Sequence, residues 1–131
     1  MKAYIMERER YDGADLAHLL LNCAERIDWP HLIQRFGPDW RVLLSHLVLF
    51  GFIYPSERTR IPSAVLDELI DKIRAEERSA ASERVCQGTL LSRGQYLHDV
   101  REEGFRDARL DERCRMTKAE MEEWTALRPR E

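Results

Sequence analysis

No apolar run in this chain of 131 residues reaches the roughly 18–20 residues that crossing a bilayer requires, so no membrane partner is expected. Cysteine is scarce: Cys23, Cys86 and Cys114 are far apart and odd in number. They form no CxxC or CxxH pair, so the spacing that fixes tetrahedral zinc ligands is missing, and reduced thiols are the simplest reading. The four histidines, His18, His31, His46 and His98, are equally scattered, and no metal site is expected. Gly-rich phosphate loops, GxSxG and HExxH are absent, which removes the usual signatures of P-loop enzymes, α/β-hydrolases and zinc proteases. A dominant charge is lacking too. The 21 basic residues nearly cancel the 24 acidic ones, leaving a net charge of -3, which argues against a nucleic-acid-coating protein or a disordered acidic tail. The opening residues become charged before any apolar h-region forms, so no secretory signal is expected, and with the cysteine usage the expectation is a cytoplasmic protein.

What is present is helical periodicity. Hydrophobic residues make up 44% of the chain and charged residues 34%, a balance suited to one soluble globule. Leu16, Leu19, Leu20 and Cys23 follow the i, i+3, i+4, i+7 pattern of a buried helix face, with Asp12 placed to cap that helix and Asp15 in its first turn. A short helix is expected over Trp29 to Phe36, with Asp28 as cap, Pro30 in the first turn and Gly37 as stop. Trp40 to Ile53 is nearly apolar all round and reads as a buried central helix ended by Tyr54-Pro55. Ser56 to Arg60 reads as an exposed polar loop, and Val65, Leu66, Leu69, Ile70 and Ile73 as one face of the next helix. Ser92 is placed to cap a helix carrying Tyr96, Leu97 and Val100 that stops at Gly104. Phe105 to Met116 shows no period and reads as loop, before a capping box of Thr117 and Glu120 opens a last helix with Met121, Trp124 and Leu127. The expectation is an all-α fold of six or seven helices with no convincing strand, Val85 and Thr89 to Leu91 being the only places for an extended piece. A compact helical core is expected over 1–75 and a charged helical extension over 76–131, packing on the core or on a partner.

The residues that suggest chemistry lie at the N-terminal end. Lys2, Arg8 and Arg10 precede Asp12 and Asp15, placing cations beside carboxylates at a helix start, a mixture suited to a triphosphate because Lys offers a point charge and Arg a fork. The bland alternative stands beside it: Asp12 caps, Asp15 complements the helix dipole, and Glu7 to Arg10 is a solvated face. Trp40, His46 and Tyr54 on the central helix are cleft candidates by type, but a histidine within an apolar helix is more often core. Trp29 to Phe36, the Gly37-Pro38 turn and the next helix have the outline of a helix-turn-helix, yet the second helix is apolar where base readers carry Arg, Lys, Asn or Gln.

Four segments, residues 2–20, Trp40 to Leu47 continuing through Phe50 to Pro55, Gly88 to Leu97, and Arg106-Asp107-Ala108-Arg109, resemble the C-terminal helical half of a bacterial nucleotidyltransferase family, a distant relation of the abortive-infection nucleotidyltransferases. The resemblance covers most of the chain. It implies an accessory role in which Lys2, Arg10, Asp12 and Asp15 support nucleotide binding, Lys2 contacting the nucleotide and Asp12 or Asp15 assisting. It also implies Mg²⁺ and a nucleoside triphosphate for the complete family protein, though no cofactor for this chain alone. The family's catalytic half is an α/β domain whose Asp-x-Asp pair binds two metal ions, chemistry that needs two close carboxylates on a rigid strand. No Asp-x-Asp occurs here, so no catalytic residue is assigned and the chain is not expected to transfer nucleotides alone. The implied partner is a catalytic nucleotidyltransferase domain, or a second copy through self-association. The alternative is a stand-alone helical interaction or nucleic-acid-binding module.

Overall fold

The computed structural model describes residues 13–92, 94–111 and 117–126, apart from the side chains of residues 124 and 125. The fold is mostly helical. Six α-helices occur among the described residues: α1 Gly13–Cys23, α2 Trp29–Phe36, α3 Trp40–Ile53, α4 Ser63–Glu76, α5 Leu97–Arg101 and α6 Lys118–Ala126. None is long and apolar enough to cross a membrane. The described residues fall into two compact units, one within 13–80 and one within 81–126.

The first unit is built around α3, which packs against α1, α2, α4 and the 3₁₀ turn Pro55–Arg60. Its local signals act as expected. The Asp28 carboxylate accepts from the His31 N–H at 3.1 Å, Pro30 lies in the first turn of α2, and Gly37 ends it at φ +49°, where a residue without Cβ is at ease. Phe50 and Leu69 are fully buried, with Leu20, Trp29, Trp40, Leu43, Leu47 and Val65 around them.

Three expectations for this unit need correction. The buried face of α1 carries Gly13, Ala17 and Leu20, continuing to Ala24, while Leu19 is 52% exposed. Leu20 is buried as expected and Leu16 and Cys23 are half-buried, so the core-facing stripe is shifted towards Ala17 and Ala24 and leaves Leu19 outside it. Nor is α3 buried all round: Arg41, Val48 and Phe52 face solvent, Phe52 at 78% exposure. Neighbours cover α3 on only part of its circumference, and composition does not reveal which part. Ser56 to Arg60 is no open loop either. It winds into the 3₁₀ turn, where Arg60 pairs with Glu57 and Glu25 and Arg58 Nε donates to Gly51 O at 2.9 Å.

The second unit contains the strands that helical patterning does not anticipate. β1, Val85–Cys86, pairs in parallel with β2, Arg106–Asp107, in the register Val85↔Arg106 and Cys86↔Asp107. Val85 was a possible extended site, but β2 and the 3₁₀ turn Ala108–Leu110 fall where a loop was expected. Two residues per strand carry no periodicity, and here flanking side chains hold the pair. Arg106 bridges Glu83 at 2.7 Å and Asp111 at 3.2 Å, and Arg84 donates to Glu103 O at 2.9 Å with its guanidinium over the Phe105 ring. Thr89 and Leu90 lie in a 3₁₀ turn, Gly88–Leu90. The helix expected from Ser92 begins only at Leu97; Ser92 Oγ instead accepts from the Gln95 N–H at 3.3 Å, closing a turn. The capping box is present, with Thr117 N–H donating to Glu120 Oε2 at 2.8 Å and Glu120 N–H to Thr117 Oγ1 at 3.2 Å. The expected cap Asp12 and the apolar residue Leu127 lie outside the described residues, and the side chain of Trp124 is likewise not described.

Candidate functional site

The most elaborate polar arrangement among the described residues is in the second unit. Asp107 and Arg109 are 2% and 3% exposed and form a two-pronged ion pair, with Arg109 Nη2 donating to Oδ2 at 2.7 Å and Nε to Oδ1 at 3.1 Å. The sequence makes this locally: a carboxylate two residues before a backbone N–H closes an Asx turn, and Arg109 N–H donates to Asp107 Oδ1 at 2.9 Å. Thr89, 18 residues earlier, donates its hydroxyl to the same oxygen at 2.8 Å. Burial pushes the Asp107 carboxyl up, but the bonds from Arg109 and Thr89 outweigh it and hold the group below its ordinary value. Donors thus surround a carboxylate kept ionised. This is the chemistry of a lock between segments, as a general base needs a proton site poised near neutrality.

Gly88 completes the lock. A β-carbon there would lie within 2.7 Å of three Tyr96 ring atoms, so the ring rests directly on the glycine backbone. A cleft of about 290 Å³ opens beside the ion pair, walled by Leu97, Val100, Met121 and Ala126 with Arg101 and Glu122 also lining it. The volume is at the lower edge of small-molecule sites.

Of the sequence-expected site residues, Lys2, Arg10 and Asp12 lie outside the described residues. Asp15 is exposed in the first turn of α1, where a carboxylate meets the positive end of the helix dipole. Trp40 and His46 are buried, and the half-buried Tyr54 tilts its ring against Phe50 at 5.6 Å. Loss of solvent around His46 lowers its pKa to about 4, so it is neutral at pH 7. No group of three or more His, Cys, Asp or Glu side chains among the described residues is placed to hold a metal ion. Cys23 and Cys86 are free thiols.

Sequence reasoning missed the Thr89–Asp107–Arg109 lock as a site. The Asp-x-Arg spacing was visible, but its meaning depends on Thr89 arriving from another segment. Comparison of the chain with protein families, with curated proteins and with solved structures finds no match.

Proposed function

We propose that this chain is the helical accessory region of a nucleotidyltransferase-like protein, supporting nucleotide binding by a catalytic domain that these residues do not contain. An accessory region that docks should leave apolar surface uncovered beside its nucleotide-facing acid. The observation that carries the reading is the outer face of α1, where Asp15 and Leu19, one turn apart, are both exposed. A large apolar side chain next to an acid at a helix start is surface that a docked catalytic domain would remove from water. The side-by-side placement of two segments that carry the resemblance, Gly88 to Leu97 and Arg106 to Arg109, agrees with it, as they close one unit through Thr89, Asp107 and Arg109.

In this reading Lys2 and Arg10 supply cations to the phosphates, and Asp12 or Asp15 is the supporting acid. Mg²⁺ and the nucleoside triphosphate belong to the complete assembly, and the two-carboxylate metal chemistry to the catalytic domain. The test is a calorimetric titration of Mg²⁺ and nucleoside triphosphate into the chain co-expressed with a domain carrying the Asp-x-Asp pair. Lys2→Ala is expected to weaken binding about tenfold, the worth of one charge-assisted contact, with folding unchanged. Binding that is the same in wild type and variant overturns the assignment. A nucleic-acid reading finds less support, since the outer face of α3 presents Val48 and Phe52 where base readers need hydrogen-bonding side chains.

A further inference from the structure

The cleft in the second unit is a feature that the nucleotide reading does not use. On α5, Val100 and Arg101 follow Leu97 by three and four residues, which sets all three on one face of the helix, and all three line the cleft. On α6, Met121 and Glu122 line it. Its most buried part is the Asp107–Arg109 pair, which is closed on itself and on Thr89. That pair makes a fixed wall and brings little net charge. The rim differs. Arg101 and Glu122 are exposed, and among the described residues neither side chain has an ion pair or a hydrogen bond. The charges around them do pair, His98 with Glu103 at 3.3 Å and Arg106 with Glu83 at 2.7 Å and Asp111 at 3.2 Å.

A free cation and a free carboxylate on one apolar cleft restrict what can fill it. An uncharged apolar molecule gains from the walls alone and leaves both charges unused. A carboxylate without an amine meets Arg101 but faces Glu122, and an amine without a carboxylate reverses the conflict. A molecule with an ammonium, a carboxylate and an apolar body satisfies every part, and its two charge-assisted contacts are of the strong kind. The size agrees. About 290 Å³ is at the lower edge of small-molecule sites, which suits an amino acid better than a nucleotide. A triphosphate would also bring several negative charges to one free cation, with Glu122 and the ionised Asp107 on the same cleft.

We propose that this cleft binds a free α-amino acid with an apolar side chain, its carboxylate on Arg101, its ammonium on Glu122 and its side chain between Leu97, Val100 and Met121. The proposal does not depend on the nucleotidyltransferase reading, and either stands if the other fails. The experiment is calorimetric titration of the full chain with L-leucine, with isocaproate (leucine without its ammonium) and with isoamylamine (leucine without its carboxylate). Leucine should bind saturably, and each truncated ligand about tenfold more weakly, the worth of one charge-assisted contact. Arg101→Gln should weaken leucine about tenfold and leave isoamylamine unchanged or tighter. Glu122→Gln should weaken leucine by a similar factor and leave isocaproate unchanged or tighter. L-serine has the same two charges without the apolar body and should bind more weakly than leucine. Both substituted side chains are already in solvent, so circular dichroism and the thermal midpoint should not change. Absence of saturable leucine binding to the wild-type chain overturns the proposal. So does wild-type binding of isocaproate, isoamylamine or serine as tight as that of leucine. Equal weakening of leucine and both truncated ligands by either variant overturns it as well, because loss of one charge must spare the ligand that never met it.

Discussion

Two buried titratable groups make the chain sensitive to acid for different reasons, and at different pH. His46 is neutral in the folded protein because burial lowers its pKa to about 4, whereas in the unfolded chain it takes a proton near pH 6.5. The unfolded state therefore binds more protons between these values. Stability is complete above about pH 6.5 and falls by about 3 kcal/mol as pH drops towards 4. Denaturant unfolding at stepped pH should show this slope, and His46→Gln should flatten it. Asp107 acts lower. Its folded pKa is depressed, so its contribution is present above the unfolded value of about 4 and is lost as pH falls further, through the folded value. Asp107→Asn leaves Arg109 buried at 3% exposure without its counter-charge, and thermal or denaturant unfolding should report a loss of about 3–5 kcal/mol. His46 could be read as a core residue from its apolar helix. Asp107 could not be read as buried, because an acid amid Arg106, Arg109 and Asp111 looks like solvated surface until Thr89 is seen beside it.

Among the elements, those whose start and stop signals are carried by neighbouring residues were legible. α2 has its cap, first-turn proline and terminal glycine within ten residues, and Asp28→Ala should cost roughly 1 kcal/mol, read as a drop in the thermal midpoint. The capping box of α6 is legible for the same reason. The β1–β2 pair was not, because its register depends on residues about twenty positions apart. Gly88 shows what such an element demands. Gly88→Ala would drive a methyl into the Tyr96 ring, and overpacking of that kind typically costs about 1–3 kcal/mol. Urea titration should show this loss, and Tyr96→Ala in the same chain should recover much of it. Full additivity of the two substitutions would mean that the ring does not seat on the glycine.

For the whole molecule, the buried cluster lies entirely between Leu20 and Leu69, so the first unit owns the apolar core. The second unit is tied instead by polar bonds around Asp107 and Arg106. A fragment of residues 12–80 should keep its helical circular dichroism and unfold cooperatively. A fragment of residues 81–131, with little apolar area to bury, should melt broadly and lose structure first in acid. A non-cooperative melt of the first fragment would show that its core needs the rest of the chain.

By itself the sequence determined the helical class, the positions of α2, α3 and α4, and the caps at Asp28 and at Thr117 with Glu120, because these follow from period and from partners within a turn or two. It also determined what the chain lacks, including the Asp-x-Asp pair and spaced metal ligands. Only the tertiary structure decided which side of α1 and α3 meets the core, that Asp107 and Arg109 are buried, and that Val85 and Arg106 are neighbours. A helix's period says that it has an apolar face, but how much of that face is covered depends on where the other helices pack. An ion pair's weight likewise depends on how much water remains around it, and that is a property of the folded whole.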